Sequence, residues 1–163
     1  MEAIACPQEV RHGMKPRIAY SEVAREGVAA LGKLEAYVRH SGLEHSLLEL
    51  VKVRASQLNA CGYCLDMHTK DARAAGETEQ RLYVLPAWRE APFYSDRERA
   101  ALEWTEAVTL VAHGGVPDEL YERVRGQFDE RELVDLTLAI TTINAWNRLA
   151  VSFRSEVGSY KRA

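Results

Sequence analysis

Two cysteines three residues apart, followed by a histidine four residues later, are the residues of this sequence best suited to chemistry. They are Cys61, Cys64 and His68, within the segment NACGYCLDMHTKDARAAGE at residues 59–77. Such a close cysteine pair can be a redox couple, half of a metal site, or two buried thiols that are merely neighbours. The other cysteine of the chain is Cys6, which we expect to be incidental.

A helix over this segment would place the three side chains along one stripe. Residues three and four apart share a helix face, and a rise of about 1.5 Å per residue separates the two cysteines by roughly 5 Å. That distance suits the roughly 4.4–6.8 Å between Cα atoms that a disulfide requires. Both cysteines are predicted at the helix start, where unpaired backbone N–H groups stabilise a thiolate. His68, one turn past Cys64, is in reach to hold or move its proton.

A carboxylate on the preceding helix is predicted to face this histidine. If the two helices form an antiparallel hairpin that turns near Ala60, Glu49 lies eleven residues before the turn and His68 eight residues after it. A carboxylate at that height would orient the imidazole and raise its basicity. The predicted relay therefore runs from Glu49 through His68 to Cys64, with Cys61 as the second thiol.

The rest of the chain predicts an all-α bundle of about seven helices, with the cysteine pair at the N-terminus of a central helix over residues 61–75. Apolar residues recur at helical spacing, capping residues precede them, and glycine or proline follows them. Ser21 is expected to cap the first helix, while Ser95 and Asp129 begin capping boxes. Pro117 suits the first position of another helix. Nothing alternates as a strand would.

Length, composition and charge indicate one globular domain and disfavour two classes of partner. Residues 1–16 are predicted to be a flexible arm and residues 17–163 a single domain. A formal net charge of −3 provides no basic surface for nucleic acid. The longest apolar-rich stretch includes Asp135 and Arg148, so it is typical of a buried helix and not of a membrane span. The N-terminus lacks the pattern of a secretory signal, so a cytoplasmic location is the default expectation.

The spacing of these residues resembles a known signature. Glu49, eleven residues, the tetrapeptide CGYC at 61–64, three residues and His68 are similar to the E-x11-C-x-x-C-x3-H pattern of AhpD-like alkylhydroperoxidases. Those proteins belong to the carboxymuconolactone decarboxylase superfamily. The similarity continues without a visible break over residues 47–109, which is more than a third of the chain.

The resemblance implies a thiol-dependent peroxidase that cycles between a dithiol and a disulfide. By that resemblance Cys64 meets the peroxide, Cys61 resolves the resulting sulfenic acid, and Glu49 and His68 assist proton transfer. It also implies a homo-oligomer, either a trimer or a hexamer. The sequence has no flavin or nicotinamide motif, so no cofactor is expected. An external dithiol, such as dihydrolipoamide or a thioredoxin-like protein, would supply the electrons.

Tyr63 departs from the best-studied branch of that family, which has a histidine just before the second cysteine. A tyrosine with a pKa of about 10 cannot act as a base at neutral pH, although its hydroxyl can donate a hydrogen bond. The relay is then shorter than in that branch. We expect slower peroxide turnover, and the natural reductant stays open.

Other interpretations of the same residues remain open from the sequence. The thiol pair could reduce disulfides or sense redox state, and the superfamily's lactone decarboxylase activity would need no dithiol. Cys61, Cys64, His68 and Glu49 could together bind zinc, although one helix stripe and one carboxylate make a poor tetrahedron. Taken alone, Glu49 could simply pair with Lys52 on a solvated face, and His68 could be an ordinary helix residue.

Overall fold

The computed structural model describes residues 15–162, and this part of the chain is all-α, as predicted. Seven helices have six residues or more, in agreement with the predicted number, and two have four residues. In chain order they are α1 (Tyr20–Val23), α2 (Arg25–Arg39), α3 (His45–Leu58), α4 (Gly62–Ala74), α5 (Glu79–Val84), α6 (Asp96–Thr109), α7 (Val111–Gly114), α8 (Asp118–Arg125) and α9 (Glu130–Phe153).

Two predictions from the sequence, the N-terminal arm and the lack of a membrane span, concern the range of residues that the structure describes. Most of the predicted arm at residues 1–16, together with Cys6, lies outside the described residues. Within residues 15–162, every helix is too short or too polar to cross a membrane.

The first helical stretch is interrupted, whereas the sequence predicts one run capped by Ser21. Ala24 separates α1 from α2 with a non-helical backbone at φ −119° and ψ 51°. Ser21 lies inside α1, and Ala19 occupies the N-cap position without a side-chain hydrogen bond. The predicted cap is therefore wrong. Packing at the end of the chain explains the earlier start, because the Tyr20 ring contacts the Phe153 ring at a centroid distance of 5.6 Å.

The later helix starts follow the sequence closely. Ser95 and Glu98 form the predicted capping box at α6, and Asp129 and Glu132 form the one at α9. In each box a side-chain oxygen accepts a backbone N–H that the helix cannot satisfy itself. Pro117 is the N-cap residue of α8, one position earlier than predicted.

Helix α3 is the centre of the fold and packs against α4, α6 and α9. Nine of its fourteen residues are buried, whereas an amphipathic surface helix buries about one face. Around it lie apolar clusters, and one of these contains both cysteines together with Ala55, Ile143 and Ala150. The cysteine pair is thus part of the core and does not project from the surface.

A buried amide cluster shapes the turn between α3 and α4. The Asn59 side-chain amide donates to the side-chain oxygens of Asn144 (2.7 Å) and Asn147 (2.9 Å), both on α9. The Asn147 amide in turn donates to Ser56 Oγ at 3.0 Å. Ala60 then takes a left-handed backbone at φ 51°. The next backbone N–H bonds to the Ser56 carbonyl at 3.0 Å, which reverses the chain as the predicted hairpin requires.

Replacing Asn147 by leucine should destabilise the protein, because the fully buried Ser56 hydroxyl loses its side-chain partner, while Asn59 keeps its bonds to Asn144 and Ala55. A buried polar group that loses its partner costs about 1–3 kcal/mol, so the free energy of unfolding should fall by about that amount in urea titrations. Thr141→Leu, on the exposed face of the same helix, is the matched control and should cost less than about 0.5 kcal/mol. Equal losses in the two variants would contradict this role of the amide cluster.

Candidate active site

Cys61 and Cys64 form a disulfide at the start of α4, with their Cα atoms 5.4 Å apart. Cys61 is the N-cap residue of α4, and its Sγ accepts the backbone N–H of Cys64 at 3.4 Å. Both residues are only 1% exposed. The helix start and the separation predicted from the sequence are both present. The positive end of the helix dipole at this position favours the thiolate form of a cysteine when the bond is reduced.

Glu49 and His68 lie together, as the hairpin geometry predicts. The Nδ1 atom of His68 is 2.9 Å from Oε2 of Glu49, and the side chains are 8% and 3% exposed. Because a carboxylate accepts the hydrogen bond, Nδ1 donates and the lone pair of Nε2 is left for another partner. The pair thus has the form of an oriented base, which is the arrangement that activates nucleophiles elsewhere.

A buried lysine and a second glutamate extend this pair. Lys52 Nζ lies 2.5 Å from Oε1 of Glu35 on α2 and 3.6 Å from Oε1 of Glu49. The proximity of Glu49 and Lys52 follows from their spacing of three residues on one helix, but their site is interior and not a solvated face, since both side chains are 3% exposed. No sequence pattern indicates that Glu35, seventeen residues earlier, reaches Lys52.

The pKa of Glu49 lies below its ordinary value of 4.5. Burial raises this pKa, but the hydrogen bond from His68 and the positive charges of His68, Lys52 and His45 lower it by more. Glu49 is therefore ionised at neutral pH. The stability that this shift contributes is complete above the unfolded value of 4.5 and is lost as the pH falls through the lower folded pKa.

A cavity of about 370 Å³ lies against Cys64 and His68. Cys64 lines this cavity and Cys61 does not, so a small molecule inside it would meet the sulfur of Cys64 first. Charged groups on its wall are Glu35, Arg39 and Asp71. The remaining wall is largely aromatic or apolar, formed by Tyr20, Gly32, Tyr63, Met67, Trp146, Ala150 and Tyr160.

Tyr63, which replaces a histidine of the best-studied branch, also lines the cavity. Burial raises the pKa of Tyr63 above 10.0, and the nearby Tyr20 and Asp66 raise it further. The phenol therefore stays protonated at neutral pH. It can donate a hydrogen bond to a ligand, but it cannot take the place of a base.

Metal binding by the four residues considered from the sequence does not match this arrangement, because the two sulfurs are bonded to each other. Within residues 15–162, the ligand atoms of Glu49, His68 and Asp71 lie within 4.8 Å of one another, which is close enough for a shared ion. Protein partners already occupy the carboxylates and one imidazole nitrogen: His68 Nδ1 binds Glu49, Lys52 lies beside Glu49, and the Tyr160 hydroxyl donates to Asp71 at 2.9 Å. We assign no metal to them.

Comparisons with known proteins agree with the family resemblance and the fold. Residues 22–107 match the model of the Carboxymuconolactone decarboxylase family, which is more than half of the 163-residue chain. The uncharacterized protein YdfG from Bacillus subtilis (strain 168) is 48% identical over 146 residues, which cover 90% of this chain and 99% of YdfG.

Crystal structures give the same result in three dimensions. ATU0492 from Agrobacterium tumefaciens, a protein of unknown function with a suggested link to the antioxidant defence protein AhpD, is 45% identical with a TM-score of 0.86, covering 90% of this chain and 100% of its own. A peroxidase-related protein from Ralstonia eutropha JMP134, described as an alkylhydroperoxidase AhpD core, shares the fold at 19% identity. Its TM-score is 0.75, over 91% of this chain and 80% of that one.

Proposed function

The chain belongs to the carboxymuconolactone decarboxylase family and is AhpD-like, and on this premise we propose that it is a thiol-dependent peroxidase that reduces organic hydroperoxides. One observation carries the proposal. Cys64, half of a disulfide at a helix start, lines a cavity together with His68, and that histidine is bonded to the buried carboxylate of Glu49. The likeness to ATU0492, with its suggested link to antioxidant defence, supports the same class of reaction.

The proposed cycle has three steps. The Cys64 thiolate attacks the terminal oxygen of the hydroperoxide, the O–O bond breaks, and the alkoxide leaves as an alcohol with a proton delivered by His68, so that Cys64 becomes a sulfenic acid. The Cys61 thiol then attacks that sulfur, which forms the disulfide and releases water. An external dithiol finally restores both thiols by exchange and is itself oxidised to a disulfide.

The partners in this cycle are part of the proposal. Dihydrolipoamide or a thioredoxin-like protein would supply the two electrons, since the cycle itself consumes a dithiol in every turn. We also propose assembly into a homo-oligomer of three or six chains and a cytoplasmic location, where reducing thiols are maintained.

A comparison of substrates separates this function from its alternatives. Purified protein with dihydrolipoamide, regenerated by dihydrolipoamide dehydrogenase and NADH, would be given tert-butyl hydroperoxide, insulin disulfides, or a carboxymuconolactone in parallel. We expect NADH consumption with the hydroperoxide and little with insulin. Rapid insulin reduction without hydroperoxide turnover would instead make the protein a disulfide reductase. Release of carbon dioxide from the lactone without dithiol would make it a decarboxylase.

A further inference from the structure

Lys52 is a charged side chain inside the core that the peroxidase cycle does not use. Its side chain is 3% exposed, on the central helix α3. Burial of an ammonium group is costly unless carboxylates pair with it. Lys52 has two such partners, Glu35 at 2.5 Å and Glu49 at 3.6 Å, so its charge is balanced inside the protein.

The two carboxylates differ in what lies beyond them. Glu49 is buried and accepts the hydrogen bond from His68, whereas the Glu35 side chain is 23% exposed and lines the cavity that Cys64 also lines. Three consecutive contacts therefore link four side chains in space, in the order Glu35, Lys52, Glu49 and His68, so that carboxylates alternate with nitrogen bases. Lys52 and His68 contact different oxygens of the Glu49 carboxylate, since Lys52 approaches Oε1 while His68 bonds to Oε2.

We propose that Lys52 is a positioning residue that, held in place by Glu35, offsets the charge of Glu49 and thereby sets the pH range in which Cys64 becomes a reactive thiolate. A positive charge near a titrating group favours its deprotonated form, and a negative charge opposes it. Burial makes the effect of Lys52 less sensitive to salt than that of a surface cation. The inference deepens the proposed relay, because it assumes that Glu49 and His68 act on Cys64.

Other ionisable groups also lie near Glu49 and His68. The wall of the cavity on α9 carries Trp146 and Ala150, which do not ionise. The ionisable groups near Glu49 and His68, apart from Lys52, are Glu35 and Arg39 on α2, His45 on α3, Asp71 on α4, Glu77 after α4, and the phenols of Tyr20, Tyr63 and Tyr160. Arg39 is exposed to solvent, so Lys52 is the buried cation among these described groups.

Removing the positive charge of Lys52 and removing the negative charge of Glu35 should shift the midpoint pH of Cys64 alkylation in opposite directions. Lys52→Met removes a positive charge and should raise the midpoint pH for alkylation of Cys64 by about one unit. Glu35→Gln removes a negative charge while its amide oxygen can still accept the hydrogen bond of Lys52, so it should lower that midpoint by about half a unit. The double variant removes both charges together and should return the midpoint close to the wild-type value.

The experiment measures iodoacetamide labelling of Cys64 in the reduced full-length protein between pH 5 and 9, with mass spectrometry to separate Cys64 from the other cysteines. Lys52→Arg, which keeps the charge, should retain the wild-type midpoint. The inference would be overturned if Lys52→Met and Glu35→Gln shift the midpoint pH of Cys64 alkylation in the same direction, or if neither variant shifts it. The double variant and Glu35→Gln keep it testable if Lys52→Met fails to fold.

This readout is independent of peroxide turnover. Opposite shifts without any hydroperoxide reduction would leave the role of Lys52 intact and remove the proposed function. Hydroperoxide reduction together with unchanged alkylation midpoints in the variants would support the proposed function and overturn the role of Lys52.

Discussion

Cys64→Ser should abolish hydroperoxide reduction with dihydrolipoamide, to a loss on the order of 10³-fold or more. A serine hydroxyl is not ionised at neutral pH and cannot form a sulfenic acid, so the first step of the cycle disappears. We propose Cys64 and not Cys61 for this step, because Cys64 alone of the two lines the cavity beside His68. The measurement is the steady-state consumption of tert-butyl hydroperoxide in the coupled assay.

Cys61→Ser should behave differently from Cys64→Ser. It can complete the first step but not close the disulfide, so the reduced protein should consume one equivalent of hydroperoxide per chain and then stop. A sulfenic acid at Cys64 would be trapped with dimedone and located by mass spectrometry. Cys6→Ser is the matched control and should keep full turnover. Activity in Cys64→Ser together with its loss in Cys61→Ser would reverse the two roles.

His68→Gln should slow the oxidation of Cys64 by about 10²-fold or more at neutral pH, because glutamine cannot exchange a proton there. Glu49→Gln acts only through the imidazole that it orients at 2.9 Å, so its effect should be smaller, about 10-fold. Single-turnover mixing of reduced protein with hydroperoxide measures this step apart from reduction of the disulfide.

An exposed histidine provides the control for that result. His113 lies in α7 away from the cavity, and His113→Gln should react at the wild-type rate. If His68→Gln is folded by circular dichroism and oxidises as fast as the wild type, the imidazole does not take part in proton transfer at Cys64.

Local features of the fold could be predicted because they depend on residues close in the chain. The capping boxes at Ser95 and Asp129 need only a side chain and a backbone N–H three residues apart. The alignment of Cys61 and Cys64 follows from helical periodicity, and their Cα separation of 5.4 Å agrees with the rough value expected from the helical rise. Even the long-range contact between Glu49 and His68 follows from one assumption, a hairpin of two helices.

Other parts of the site needed the packing of distant segments. Lys52 pairs with Glu35 from a separate helix, and the amide cluster at the turn depends on Asn147, eighty-eight residues beyond Asn59. The early start of α1 likewise depends on a contact of Tyr20 with Phe153 at the end of α9.

The sequence by itself determined most of the helices and which side chains share a face of a helix, because backbone hydrogen bonding and side-chain direction repeat every few residues. Only the tertiary structure decided which of the two cysteines lines a cavity, and that Lys52 beside Glu49 is buried and paired with Glu35. Those contacts depend on how helices cross and how closely their side chains pack, and this geometry is a property of several segments together.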